Sequence, residues 1–231
     1  ALSIKFKDKI KYKTEINSIF EKNNKIFIEY NFDGKIQLEE FDKVILTVPT
    51  HKLNNINFRE KLSKDVNIIN KIYYPPLTTV TLAYKNTSFN QKINGFGILI
   101  PKKENMNILG VLHLSSMFSN RSPKDQSLIT VYIGGARQPE LTKMDEKKLL
   151  ENVYKDLYKI YNIVDKPVFV STKYWSKSIP QYEINYQKYL DAISSLETDC
   201  PGLIFNGNFK NGISLENNIL NSLKTVKNLY E

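Results

Sequence analysis

Nothing in the 231 residues matches the GxGxxG dinucleotide fingerprint or a Walker-type glycine loop. A chain that grips a nucleotide pyrophosphate by itself normally carries such a loop between its first strand and helix, so no such grip is expected here. Cysteine occurs once, at Cys200, which excludes an internal disulfide and a thiolate metal cluster and fits a reducing compartment. The two histidines, His51 and His113, have no carboxylate or cysteine at metal-ligand spacing, so no metal is expected and both read as surface or satisfied interior residues. No serine sits in a nucleophile-elbow context. No apolar run approaches the roughly 20 residues of a membrane-spanning helix, and the start lacks a signal-peptide core. The expectation is a cytoplasmic protein, at most peripheral at a membrane.

What is present is an ordinary globular composition, 41% hydrophobic and 12% aromatic, which can bury a core. The net charge of +9 would suit nucleic acid only if it were concentrated. Lysines are instead scattered singly, with no run longer than the pairs Lys102-Lys103 and Lys147-Lys148, so no nucleic-acid role is expected. The chain opens at Ala1-Leu2-Ser3 without an initiator Met, as a segment of a longer polypeptide would.

Residues 10–13 and 16–20 read as short strands. The stretch from Ile26 to Phe41 reads as a hairpin turning at Asp33-Gly34, a dipeptide that accepts positive φ. Val44–Val48, closed by Pro49, has the continuous apolar pattern of a strand buried on both faces. A helix is expected over 58–71. Strands follow at 77–84, 96–100, 108–115 and 128–133, whose spacing suits an antiparallel sheet. Thr142 with Asp145 and Glu146 signals a helix running to about Tyr161. A strand at 168–175, a helix near 183–197 and a short strand at 203–206 come next. A last helix is expected from Ser214, capped by its hydroxyl and burying Ile219, Leu220, Leu223 and Val226.

The glycines are uneven: none in the first 33 residues, five between 95 and 135, and three between 202 and 212. In the last group a buried strand empties into Gly207-Asn208 and Gly212-Ile213 before a capped helix. Glycine lets backbone approach a ligand, and helix-start N–H groups favour negative charge. The same arrangement also serves as a plain packing turn, and the residues alone leave both readings open.

The order of motifs resembles the flavin-containing amine oxidase superfamily. Gly207–Ser214 is similar to its C-terminal flavin-contact loop, and Phe41–Pro49 to its acidic-strand-proline segment. Ile16 and Ile19 match the stretch whose first apolar residue touches the adenine end. Gly95–Pro101, Ile108–Val111 with Ser115–Phe118, Gly134-Gly135, and Trp175 followed by Ile179-Pro180-Gln181-Tyr182 resemble the porphyrinogen oxidases within it, acting on protoporphyrinogen or coproporphyrinogen. Asn206, Asn185 and Leu223 depart from the pattern, standing where a small apolar residue, glycine and glycine are usual.

The resemblance implies an α+β (α/β) chain. Its parts would be residues 1–50 of an FAD-binding Rossmann-like domain, a mostly antiparallel substrate domain over 51–165, and a return to the FAD domain over 166–231. It implies FAD contacts from Ile16, Ile19, Thr47, Val48, Pro49, Trp175, Gly207, Asn208, Gly212, Ile213 and Ser214. Substrate packing would fall to Phe96, Leu99, Leu112 and Tyr132, with no side chain assigned as catalytic. The implied chemistry is oxidation of a porphyrinogen in haem biosynthesis with molecular oxygen as final acceptor. It leaves room for peripheral membrane association and a homodimer. Lacking the nucleotide-binding loop, the 231 residues alone are expected to hold FAD weakly and be inactive. A non-catalytic porphyrin-, haem- or partner-binding domain and a different amine oxidase-like flavoenzyme are the alternatives.

Overall fold

The computed structural model describes residues 2–59 and 62–230. In chain order its elements are α1 (Leu2–Lys5), β1 (Thr14–Lys22), β2 (Lys25–Phe32), β3 (Lys35–Phe41), β4 (Val44–Leu46), β5 (Asn57–Phe58) and α2 (Ser63–Ile69). Then come β6 (Leu77–Lys85), β7 (Gly97–Leu99), β8 (Ile108–Leu112), α3 (Leu114–Met117), β9 (Gln126–Gly134) and α4 (Glu146–Tyr161). The last four are β10 (Phe169–Trp175), α5 (Gln187–Asp199), β11 (Leu203–Phe205) and α6 (Leu215–Tyr230). They form two compact units, one of residues 1–73 with 182–231, the other of residues 74–181. Both boundaries fall later in the chain than those expected at 50 and 165. The helix at 63–69 belongs with the first unit, and β10 belongs with the second because it pairs with β6 along its whole length.

In the first unit β3, β2, β1 and β5 form a sheet in that order. Both hairpins turn on residues that tolerate positive φ: Asn23 and Asn24 at 54° and 59°, then Asp33 and Gly34 at 49° and 77°. Those paired left-handed residues match the twist of the flanking strands. Residues 10–13 form no strand, and a turn of 3-10 helix at Lys7–Lys9 precedes them. A bulge at Asn17 shifts the register, so Ile16 lies opposite Tyr30 and Ile19 opposite Ile28. Ile16 and Ile19 therefore share a face although they are three residues apart, which regular alternation forbids. Val66 and Ile69 of α2 and Tyr189, Ile193 and Leu196 of α5 are buried as these helices pack together. The Tyr189 hydroxyl donates to the Lys71 carbonyl at 3.2 Å.

β4 and β11 run parallel, Leu46 beside Phe205. β4 is buried on one face only: Val44 and Leu46 are buried while Ile45 is exposed. The final helix differs more from expectation. Ser214 does cap it, its Oγ accepting from Asn217 N at 3.1 Å, but Ile219, Leu220, Leu223 and Val226 are 47–65% exposed. Polar tethers place its first turns instead: Asn218 Nδ2 donates to Ser214 O, Asn221 Nδ2 to Asn211 O, and Asn206 Nδ2 to Ser222 Oγ.

The second unit is a five-stranded antiparallel sheet in the order β10-β6-β9-β8-β7. One face carries Val80, Leu82, Tyr84, Ile129, Val131 and Ile133, buried in one cluster with Leu149, Val153 and Leu157 of α4. Burying each aliphatic side chain contributes roughly 1.5–3 kcal/mol. Asp145, not Thr142, caps α4, accepting from Lys148 N at 2.9 Å; the Thr142 hydroxyl donates to Pro139 O. Asn162 at φ 58° closes the far end. Asp156 is fully buried within α4, accepting from the backbone N–H of Asn107 at 2.6 Å and of Ile108 at 3.3 Å. A buried carboxylate so satisfied fixes the start of β8 onto the helix. The two ends of the unit meet: Leu77 pairs with Trp175, and both Ser178 N and Ser178 Oγ donate to Pro75 O, at 3.0 and 2.7 Å.

Candidate functional site

In the first unit the parallel strands deliver two segments to the same end. Thr47, Val48 and Pro49 leave β4, and residues 206–214 leave β11. Thr47, Pro49, Ile213 and Ser214 are exposed, and Val48, Gly207, Asn208 and Gly212 are half-buried. Asn206, at the first departure from the family pattern, continues the pairing beyond β11 by donating its N–H to Leu46 O at 3.0 Å.

The glycine loop is held from below. Tyr182 Oη donates to Asn208 O at 2.8 Å and accepts from Gly212 N at 3.0 Å, so one hydroxyl joins the two ends of the loop. Tyr186 Oη donates to Phe209 O at 2.7 Å, and the two tyrosine rings stack at 4.2 Å. Phe209 is buried. Lys210 Nζ pairs with Glu197 at 2.6 Å, whose Oε1 also accepts from Phe205 N. Burial, opposed by the Gly212 N–H, raises the Tyr182 phenol above its ordinary pKa, with burial the larger effect. It therefore stays protonated and able to donate.

Both loop positions disfavour a side chain, Gly212 through its φ and Gly207 through the ring beside it. A Cβ at Gly212, where φ is 108°, would lie 2.6 Å from Asn217 Nδ2. One at Gly207 would lie 2.6 Å from the buried Phe209 ring. A backbone stripped of side chains on one side, next to the capped start of a 16-residue helix, suits close approach by an anionic or electron-rich group. That donor set fits a flavin and its linker. Ile16 is half-buried beside this unit's sheet, whereas Ile19 is fully buried in the core and has no surface to offer a ligand. The bulge that unites their face turns Ile19 inward.

In the second unit the sheet face opposite α4 is open. Tyr132 of β9 pairs with Gly110 of β8 and Thr79 of β6, while Leu112 pairs with Gly97 and Leu99 with Gly110. Alternation puts Leu77, Thr79, Tyr132, Leu112, Leu99 and Trp175 on this one face. Trp175 Nε1 reaches Thr79 Oγ1 at 3.4 Å. Leu99, Leu112 and Tyr132 line a concavity of about 520 Å³ with Leu77, Leu109, Ile179 and Arg137. Beneath it the paired strands β7 and β8 approach closely at glycines. A Cβ on Gly97 would fall 2.0 Å from Val111 O, and one on Gly110 2.6 Å from Ile98 O.

Of the four side chains expected to pack substrate, three meet here and Phe96 does not; it is 77% exposed outside the concavity. Trp175, expected beside the cofactor, stands on the open sheet face of the second unit, opposite Leu77. His113 is a satisfied interior residue, with Nδ1 3.1 Å from Asn94 O and Nε2 2.7 Å from the Tyr161 hydroxyl. Among the described residues no group of His, Cys, Asp and Glu could hold a metal, and no helix is long and apolar enough to cross a membrane.

Sequence reading missed Tyr182 and Tyr186 as the loop's supports and Arg137 as part of the concavity. The Ile-Pro-Gln-Tyr segment marked Tyr182's position, but nothing in sequence reveals a hydroxyl bridging residues 26 and 30 positions away.

A parallel strand pair feeding a glycine loop, and an antiparallel sheet with one apolar open face, define a two-part flavoprotein frame. The chain belongs to the flavin containing amine oxidoreductase family, whose sequence profile matches residues 3–212. It is 35% identical to a mitochondrial protoporphyrinogen oxidase of Nicotiana tabacum over 181 residues, 77% of this chain and 36% of that one. Protoporphyrinogen oxidase 2 of Arabidopsis thaliana is 33% identical over 194 residues, 82% of this chain and 38% of that one. The chain thus spans well under half the length of these curated relatives. Among solved structures, a protein of Exiguobacterium sp. 255-15 superposes with TM-score 0.70 at 17% identity, over 94% of this chain and 46% of that one. A putrescine oxidase superposes with TM-score 0.66 at 10% identity, over 99% of this chain and 52% of that one. At such identities the likeness is one of fold.

Proposed function

We propose that this chain is the C-terminal portion of an FAD-dependent, oxygen-dependent porphyrinogen oxidase. The observation that carries the reading is the apolar concavity lined by Leu99, Leu112 and Tyr132 beside Gly110, with Trp175 on the same sheet face. A flat macrocycle gains contact area on an apolar sheet face of this kind.

In this reading Gly207, Asn208, Gly212, Ile213 and Ser214 hold the flavin end of FAD, with Thr47, Val48 and Pro49 beside them and Ile16 toward the adenine. FAD, when bound, supplies acceptance of electrons from the porphyrinogen in two-electron steps, with molecular oxygen as final acceptor. The chain's own residues position and shield. The α6 N-terminus favours negative charge next to the loop, and Leu99, Leu112, Tyr132 and Trp175 exclude water from the macrocycle face. Protoporphyrinogen is the substrate we favour, in keeping with the names of the relatives.

Two measurements test this. The 231-residue chain, titrated with FAD and with protoporphyrin by fluorescence, should bind porphyrin measurably and FAD weakly, and should not oxidise porphyrinogen. A purified sample that stays yellow through gel filtration and turns over would refute the expected inactivity. In a polypeptide that also carries the nucleotide-binding half, porphyrin fluorescence should appear with oxygen uptake. Porphyrin binding without any turnover there would instead favour a non-catalytic porphyrin-binding domain.

A further inference from the structure

Among the described residues, Arg137 is the only charged one lining the concavity of the second unit. It follows the Gly134-Gly135 turn that ends β9, where φ of 95° and 61° reverses the chain. Its guanidinium donates from Nη1 to Ile100 O at 2.7 Å and from Nη2 to Ile108 O at 3.1 Å. Those carbonyls belong to the segments leaving β7 and entering β8, so the side chain is held at the edge of the hairpin that forms the concavity's floor. Both partners are neutral. No ion pair to Arg137 occurs among the described residues, and its Nε is buried without a hydrogen-bond partner. The nearby buried carboxylate of Asp156 is spoken for by Asn107 N, Ile108 N and Lys159.

A guanidinium carries five N–H donors in a planar fork suited to carboxylates. Two backbone carbonyls use two of these donors and leave the charge unneutralised. Holding an uncompensated cation against an otherwise apolar wall costs free energy that an anionic partner recovers. We propose that Arg137 is a binding residue for a carboxylate carried by the flat apolar ligand of this concavity, fixing the edge at which the macrocycle's acidic side chains lie. The inference rests on the porphyrinogen reading above and deepens it. The ligand is an amphiphile with an apolar face and a carboxylate rim, and a neutral macrocycle of the same shape is discriminated against.

The test compares protoporphyrin IX with its dimethyl ester, which keeps the ring and removes both charges, by fluorescence titration of the whole 231-residue chain at two salt concentrations. The unaltered chain should bind the diacid about tenfold more tightly than the ester, the size of one charge-assisted contact, and only the diacid should weaken with salt. Arg137→Gln should bring the two ligands to equal affinity while leaving the ester unchanged, and Arg137→Lys should retain part of the preference. If Arg137→Gln unfolds, the ester comparison and salt dependence in the unaltered chain still decide. Equal binding of diacid and ester by the unaltered chain overturns the role of Arg137 while leaving the concavity as a macrocycle site. A diacid preference that survives in folded Arg137→Gln also overturns it. Binding of neither ligand removes the porphyrinogen reading itself.

Discussion

Tyr182→Phe isolates the one hydroxyl that closes the glycine loop. Phenylalanine keeps the ring that stacks on Tyr186 at 4.2 Å, so packing is retained and two hydrogen bonds are lost, to Asn208 O and from Gly212 N. A neutral hydrogen bond contributes about 0.5–1.5 kcal/mol net. The tyrosine is 41% exposed, so water replaces part of each bond and the pair together stabilises the closed loop by about 1–2 kcal/mol. Since 1.4 kcal/mol is a factor of ten, the Gly212 amide should exchange with solvent roughly 5–30 times faster in the variant. The readout is hydrogen exchange resolved at Gly212, with the global melting temperature as a control that should move by only a few degrees. Unchanged protection at Gly212 in a folded variant would refute the bridge. FAD affinity, measured in a polypeptide with both halves of the site, should fall by a similar factor.

Gly97→Ala should destabilise the second unit by about 2 kcal/mol or more, because the new Cβ would meet backbone, Val111 O at 2.0 Å, which no rotamer change relieves; an unaltered urea midpoint would contradict this. Asn185 holds φ at 69° where the family usually has glycine. Asn185→Gly should therefore be neutral or slightly stabilising and Asn185→Ala destabilising by about 1 kcal/mol, a rank order that thermal melts can reverse or uphold. Burial raises the phenols of Tyr84 and Tyr161, the latter to about 12. Their contribution is full below the unfolded value near 10 and is lost as pH rises through the folded values. The urea midpoint should therefore drop between pH 9.5 and about 12, with a shallower fall in Tyr161→Phe; a flat profile would show that these phenols titrate alike in both states.

Much of the frame was legible because it rests on local chemistry. Asp33-Gly34 has to turn, the 149–160 face has to be buried, and Ser214 has to cap. The order of motifs carried the family, as the profile match over 3–212 bears out. What sequence could not supply was relational. Alternation alone puts Ile16 and Ile19 on opposite faces, and only the extra residue at Asn17 unites them and buries Ile19. The α6 pattern, apolar at helical spacing, implied burial, yet its placement is set by Asn206, Asn218 and Asn221 and its apolar side chains remain exposed. That Trp175 shares a sheet face with Tyr132 and Leu112 follows only from strand pairing. Sequence alone gives Arg137 no place, because its meaning lies in two carbonyls 37 and 29 residues away.

The clamp between Pro75 and Ser178 bears on how such a chain can diversify. An insertion whose two ends are pinned side by side looks, to the surrounding polypeptide, like a short turn. Whatever lies between the ends adds almost nothing to the entropy of closing the host's own contacts. A foreign sheet with adjoining ends could be grafted at the same two positions.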